Sequence, residues 1–340
     1  MDIAYSSSAD ASERAVWVAA IGAAMPEARI VDISGGALAV IDDPAAVEFA
    51  VVANPPTGSL RDLPNLRLIQ STWAGVDRLV SDPSLPPDVP IARMVDPAMT
   101  AAMAQTALWA TLALHRGFFD YAEQQRAGRW SKLPQRRAQE IHVVVLGFGQ
   151  MGRAAAWSLA AQGYRVSGWR ARVRREGEVP TGGSNSSNRA RPSFALGESV
   201  MAIDERAGVD ALPSLLADAQ VVVNLLPLTD ATTGLLDARF FSRLPQGAHI
   251  VNLARGAHLV EADLLAALAC GQIGRAVLDV FASEPLPAGH PFWRHPGVTV
   301  LPHVAALGDR RNSVEIVCAN LRRVASGGEA LHQVERDRGY

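Results

Sequence analysis

The run VVVLGFGQMGR, residues 143–153, restricts this chain more than any other stretch. An apolar, strand-forming segment passes directly into Gly147-x-Gly149-x-x-Gly152, and the helix-compatible AAAWSLAA follows. A strand that feeds a helix through three glycines at this spacing opens a βαβ unit. The first glycine permits the tight bend, the second lets backbone approach a pyrophosphate, and the third lets the helix pack on the strand. Free N–H groups at the helix start, around Gln150 and Met151, attract a diphosphate. The spacing predicts a dinucleotide site on a parallel α/β sheet.

The rest of the chain fits that frame. Before the turn, short apolar strands alternate with helices: DIAYS (2–6), ARIVDI (28–33), EFAVVAN (48–54), LRLIQST (66–72) and PIARMV (90–95). A long helical stretch runs from Thr100 to about Arg126, followed by a polar connector. After the turn come YRVSGW (164–169), AQVVVNLLP (219–227), GAHIVNLA (247–254), GRAVLDVF (274–281) and GVTVLP (297–302), then a helix over about 310–326. Alternation of this kind implies parallel sheets. A chain of 340 residues is long for one core, so two domains are expected. Residues 176–205, rich in Gly, Ser, Asn and Pro, show neither period and read as a surface insertion. Asn185-Ser186-Ser187 within it matches a glycosylation acceptor, without support from any sign of secretion.

What stands at the end of the second strand decides the nucleotide. An acid there pairs with the ribose hydroxyls of NAD and repels the additional phosphate of NADP. This chain has Arg170 instead, followed by Arg172, Arg174 and Arg175. A guanidinium matches phosphate oxygens with two parallel donors. The sequence thus predicts NADP(H) in preference to NAD(H), with Arg170 and Arg172 as contacts. Arg174 and Arg175 read equally well as a solvated basic loop.

Three further stretches, VNLARGAHLVEADLLAAL (251–268), VLDVFASEPLP (277–287) and VTVLPHVAALG (298–308), place polar residues just past apolar runs. Ligands bind at such carboxyl ends of parallel strands. With GFGQMG before them, NLARG, LDVFASEPLP and LPHVAA in this order make the chain resemble the D-isomer-specific 2-hydroxyacid dehydrogenases. More narrowly it is similar to their glyoxylate/hydroxypyruvate reductase A group, whose ending the tail QVERDRGY (333–340) also resembles. The likeness spans the chain apart from the insertion.

The resemblance implies two Rossmann-like doubly wound parallel-sheet domains flanking a cleft. A flavodoxin-like substrate domain would combine 1–99 with 282–340, and an NADP-binding Rossmann domain would span 100–281. It makes Arg255 the substrate-binding arginine, Glu284 the acid partner and His303 the proton donor. Each has a structural alternative: a strand-end salt bridge for Arg255, a turn residue before Pro285 for Glu284, a satisfied packing histidine for His303. The chemistry is self-consistent. A fixed guanidinium can hold a 2-oxo acid's carboxylate and polarise its carbonyl. Histidine can protonate the oxygen once hydride has reached carbon, and a carboxylate beside such a ring orients it and favours its charged form. STWAGVD (71–77) resembles the family's substrate loop, with N–H groups of Ala74 and Gly75 offered to the carboxylate. Trp73 either walls the pocket or packs. Leu226 and Pro227 in LLPLT would border the adenosine ribose, and Leu253 and Ala254 in NLARG complete the nucleotide contacts. Asp279 either caps a turn or lies near the nicotinamide carboxamide. Trp130 could reach a partner subunit. The other histidines, His258 among them, match no catalytic motif.

The activity this implies is NADPH-dependent reduction of glyoxylate and hydroxypyruvate. Rival readings are a reductase of larger 2-oxo acids and a non-catalytic NAD(P)-sensing protein. A formate dehydrogenase fits poorly, since hydride removal from formate needs no Glu284–His303 proton donor. Closure of the cleft would exclude water and bring the Ala74–Gly75 loop to Arg255. Arg189 and Arg191 of the insertion could fold over the 2′-phosphate, or the insertion is a tolerated loop. With 32 basic and 34 acidic side chains, net charge −2, neither nucleic acid nor a membrane surface is an expected partner. Cys270 and Cys318 have no metal-ligand spacing, and no metal is expected. The chain reads as cytoplasmic, and the resemblance implies a homodimer built through the cofactor domain.

Overall fold

The computed structural model describes residues 1–35, 41–172 and 203–339. The chain divides into two compact units, residues 1–99 with 308–340 and residues 100–307.

The first unit begins with β1 (Asp2–Ser7), α1 (Ala11–Ala24), β2 (Arg29–Asp32), β3 (Val47–Ala53), β4 (Leu68–Ser71), α2 (Asp77–Val80) and β5 (Ile91–Ala92). Its five strands are parallel in the order β2-β1-β3-β4-β5. That is the flavodoxin-like order, as the resemblance implied. Asp10 caps α1, its carboxylate accepting the Glu13 N–H at 2.9 Å.

The second unit opens with α3 (Pro97–His115, crossing from the first) and α4 (Phe118–Arg126). The single long helix expected here is broken where Gly117 adopts φ +67°, a backbone state that favours glycine. There follow β6 (His142–Leu146), α5 (Gln150–Ala160), β7 (Arg165–Arg170), β8 (Asp204–Ala207), α6 (Leu212–Leu216), β9 (Val221–Asn224), α7 (Ala238–Ser242), β10 (Ala248–Asn252), α8 (Glu261–Ala269), β11 (Ile273–Leu278) and β12 (Val298–Val300). These seven strands run parallel in the order β12-β11-β10-β9-β6-β7-β8. The strand order reverses beside β6, the strand that leads into the glycine turn. Side chains alternate between two buried layers. Val144, Leu146, Val222 and Ile250 pack with Leu215, Phe240 and Leu264 of α6, α7 and α8. Val143, Val145, Val223 and Val251 pack with Ala110 of α3 and Leu159 of α5. Both sheet faces are covered, so the strands are continuous apolar runs rather than alternating ones.

Two boundaries differ from the sequence reading. The second crossing between units falls after Leu307, not near Ala282, because β12 extends the second sheet beside β11. The stretch 176–205, expected to be irregular, ends inside an element, since Asp204 and Glu205 begin β8. Arg174, Arg175, Arg189, Arg191 and the Asn185 acceptor lie outside the described residues. The closing helix, α9 (Arg310–Ala325), returns to the first unit, where Val317 and Leu321 pack with Ile21 of α1 and Phe49 of β3. Asn320 donates to the buried Gln70 Oε1 at 2.6 Å. Among the described residues no helix is long and apolar enough to cross a membrane.

Several histidines are buried in ways that couple folding to pH. Burial, reinforced by the charge of Arg275, lowers the His249 pKa from 6.5 to about 4, and its Nδ1 is sealed from solvent. Burial also lowers His142 and His115 from the same ordinary value. The native state therefore resists protonation while the unfolded chain accepts it. Stability should be complete above the unfolded value of about 6.5 and decline as pH falls towards 4, by roughly 1–3 kcal/mol from His249. Denaturant unfolding at pH 7.0, 5.5 and 4.5 measures this, and His249→Gln should flatten the slope.

Candidate active site

The glycine turn is built as its spacing demands. Gly147 has φ +92°, and a Cβ there would lie 2.4 Å from the Leu225 carbonyl oxygen. A Cβ on Gly152 would lie 1.8 Å from the Gly147 carbonyl oxygen, whereas one on Gly149 would meet nothing within 4 Å. Two glycines are thus required by the protein's own packing, and the third faces open space at the start of α5. That helix has no side-chain N-cap, so among the described residues no carboxylate or hydroxyl caps the N–H groups around Gln150 and Met151 that begin it. A dinucleotide pyrophosphate fits this arrangement.

Arg170 ends β7 with its side chain only 22% exposed. It does not stand alone: Glu205, on the neighbouring β8, ion-pairs with its guanidinium. Arg153 of α5 reaches the same Glu205 oxygen at 3.4 Å. Arg172 is exposed just past the strand end.

Arg255, Glu284 and His303 follow the carboxyl ends of β10, β11 and β12, three adjacent strands. Arg255 follows β10 in extended conformation (φ −142°, ψ 145°), and its Nη1 donates to the Ala254 carbonyl at 2.8 Å. Glu284 follows β11. One of its oxygens accepts the Phe281 N–H at 2.9 Å, and the other lies 2.7 Å from His303 Nδ1. His303 follows β12 with φ +57°, a left-handed state uncommon outside Gly, Asn, Asp and His. The cause lies behind it. Asp279, 1% exposed, accepts the Val304 and Ala305 N–H groups at 2.7 and 2.9 Å, one on each oxygen. Its own carbonyl accepts the His303 N–H at 2.9 Å. Of the two readings of Asp279, the geometry displays the turn cap. Burial raises its pKa above the ordinary carboxyl value, against the lowering effect of those two N–H donors.

A buried network beneath these loops escaped the sequence reading. Asn224 and Asn252, each fully buried, end β9 and β10, and His258 is fully buried beside them. Asn224 Nδ2 donates to Asn252 Oδ1 at 3.0 Å and to His258 Nδ1 at 3.1 Å. With Nδ1 accepting, the ring proton sits on Nε2, which donates to the Pro227 carbonyl at 3.2 Å. Asn224 Oδ1 accepts the Leu226 N–H at 3.2 Å, and Asn252 Nδ2 donates to the Arg255 carbonyl at 3.1 Å. The segments holding Leu226, Pro227, Leu253, Ala254 and Arg255 are therefore fixed to one frame. The available signal was an asparagine closing each of two otherwise apolar strands, VVVN and IVN.

In the first unit, Trp73, Ala74 and Gly75 follow the carboxyl end of β4. The Trp73 N–H donates to Ser71 Oγ at 3.0 Å, and its carbonyl accepts the Met94 N–H at 3.0 Å. The Trp73 ring is exposed, while Ala74 and Gly75 are half-buried.

A glycine turn and an imidazole–carboxylate pair thus lie along the carboxyl edge of one parallel sheet, where such folds bind their ligands. Comparison with known proteins supplies the class. The model of the D-isomer specific 2-hydroxyacid dehydrogenase NAD binding domain matches residues 108–189 and 195–305. A D-isomer specific 2-hydroxyacid dehydrogenase from Xanthobacter autotrophicus Py2, solved in complex with NADPH and MES, is 37% identical, with 100% of this chain and 99% of that one covered and a TM-score of 0.85. An NADPH-dependent glyoxylate/hydroxypyruvate reductase from Sinorhizobium meliloti, solved with NADP and sulfate, is 30% identical over 100% and 99% of the two chains, with a TM-score of 0.83. A probable 2-hydroxyacid dehydrogenase from Rhizobium etli CFN 42, solved with NADP, HEPES and L(+)-tartaric acid, is 27% identical over the same shares, also with a TM-score of 0.83. The chain belongs to the D-isomer specific 2-hydroxyacid dehydrogenase family.

Proposed function

We propose that this chain reduces glyoxylate and hydroxypyruvate to glycolate and D-glycerate, using NADPH in preference to NADH. The observation that carries the reading is the 2.7 Å contact between His303 Nδ1 and Glu284, placed on the same strand edge as Arg255 and the glycine turn. The nucleotide, when bound, supplies the hydride. Arg255 holds the substrate carboxylate and polarises the carbonyl, drawing electron density towards oxygen. Because Glu284 occupies Nδ1 of His303, the proton to be delivered is the one on Nε2. Delivery leaves a neutral ring whose remaining N–H still points at Glu284, so the pair needs no rearrangement before it is recharged. Ala74 and Gly75 would offer their N–H groups to a carboxylate. Trp130, 97% exposed, is a large apolar surface for a second copy of the chain, and light scattering tests the homodimer.

Following NADPH absorbance with glyoxylate, hydroxypyruvate and 2-oxoisovalerate decides among the readings. Turnover of the first two well above the third is expected. Preference for 2-oxoisovalerate would point to larger 2-oxo acids, and nucleotide binding without any turnover to a sensor. For the nucleotide, the double variant Arg170→Ala, Arg172→Ala should raise the NADPH KM by roughly 10-fold or more and the NADH KM by less than about 2-fold. Equal effects on both would remove the assignment.

A further inference from the structure

The acid missing from the end of β7 is present on the strand beside it. We infer that Glu205 is a specificity-determining residue, a carboxylate that occupies the Arg170 guanidinium as an internal stand-in for the 2′-phosphate and so limits the preference for NADP(H). The inference rests on the NADPH reading above and concerns how large that preference is.

The parallel pairing of β7 with β8 sets Gly168 against Glu205 and Arg170 against Ala207. Glu205 reaches from this register to Arg170, and the same oxygen faces Arg153 at 3.4 Å. Arg153 in turn donates to the Phe148 carbonyl at 3.3 Å and lies over the Phe148 ring, 5.5 Å from its centre. One carboxylate therefore sits between a guanidinium from the strand end and another from the phosphate-turn helix.

Glu205 engages Nη2 of Arg170, and the Nε and Nη1 of that guanidinium are sealed from solvent, so an incoming phosphate needs the donor that this carboxylate is using. Binding a 2′-phosphorylated ribose requires Arg170 to exchange partners, and the displaced carboxylate stays nearby as a like charge. An unphosphorylated ribose meets neither cost. The side chains of Arg170, Glu205 and Arg153 are 22%, 32% and 36% exposed. Pairs this accessible to water are weak enough to exchange. The fraction of molecules in which Arg170 is available scales the apparent affinity for the phosphate directly.

The test measures binding to the full-length protein by calorimetry, with adenosine 2′,5′-bisphosphate and 5′-AMP as probes and no turnover required. Glu205→Gln should bind the bisphosphate on the order of 10-fold more tightly than the unsubstituted chain, with 5′-AMP changed less than about 2-fold. Asp204→Asn removes the same charge one residue away, from a carboxylate paired with Arg206 at 2.9 Å. It should leave both affinities within about 2-fold. An unchanged bisphosphate affinity in Glu205→Gln, or equal tightening in Asp204→Asn, overturns the inference. Arg170→Ala separates the two readings. If it weakens the bisphosphate selectively while Glu205→Gln does nothing, only the stand-in role fails. If both variants are inert, the NADPH preference fails and the stand-in role with it. Thermal melting of each variant confirms that it is folded.

Discussion

Replacing His303 with asparagine is expected to lower kcat for glyoxylate reduction by about 10²–10⁴-fold, the usual contribution of a positioned proton donor. Asparagine is the informative replacement because the backbone at His303 has φ +57°, a state asparagine tolerates and alanine resists. The Asp279 cap on the following turn then stays intact, and the loss reports the missing imidazole rather than a displaced loop. Nucleotide affinity should remain within about 2-fold, since the glycine turn follows a different strand. The measurement is steady-state kinetics beside direct binding of NADPH. A fall in kcat below about 10-fold would show that the proton comes from elsewhere. Glu284→Gln should act in the same direction but less strongly, since it leaves the ring in place and removes only the charge that holds it.

The second large effect is expected at a residue with no chemistry of its own. A Cβ added to Gly256 would lie 1.9 Å from the Phe281 carbonyl carbon and 2.5 Å from the Ala282 nitrogen. Both obstacles are backbone, so neither can rotate away. Gly256→Ala should destabilise the chain by about 3 kcal/mol, near the upper end for overpacking. The damage should also reach activity. Gly256 follows Arg255, and the segment it would push carries the Phe281 N–H that holds Glu284. Denaturant unfolding and kcat/KM measured on the same preparation check both. A stable variant with unimpaired kcat/KM would mean that the strand ends separate more easily than their contact suggests.

Much of this site was legible before any coordinates. The glycine turn announced itself because its residue types are dictated locally: a strand, a bend and a helix start need glycine at fixed offsets. Arg255, Glu284 and His303 were singled out by the family resemblance, in stretches whose polar residues follow apolar runs, and parallel sheets put ligands at those ends. What escaped was set by pairing across the sheet. Glu205 looked like part of a shapeless stretch, and only the register of β8 against β7 brings it to Arg170. His258 matched no motif, since its role depends on two asparagines from separate strands meeting beside it. The unit boundary was misplaced for a similar reason: VTV is too short to declare which sheet it joins.

The asparagine pair that closes β9 and β10 has a mechanical consequence. Asn224 steadies the backbone at Leu226, Asn252 steadies the backbone at Arg255, and a hydrogen bond joins the two amides. The shelf proposed for the nucleotide and the perch of the guanidinium thus share a single brace. A substitution that loosens one must loosen the other, and improving the grip on either ligand by redesigning these loops means preserving both amides together.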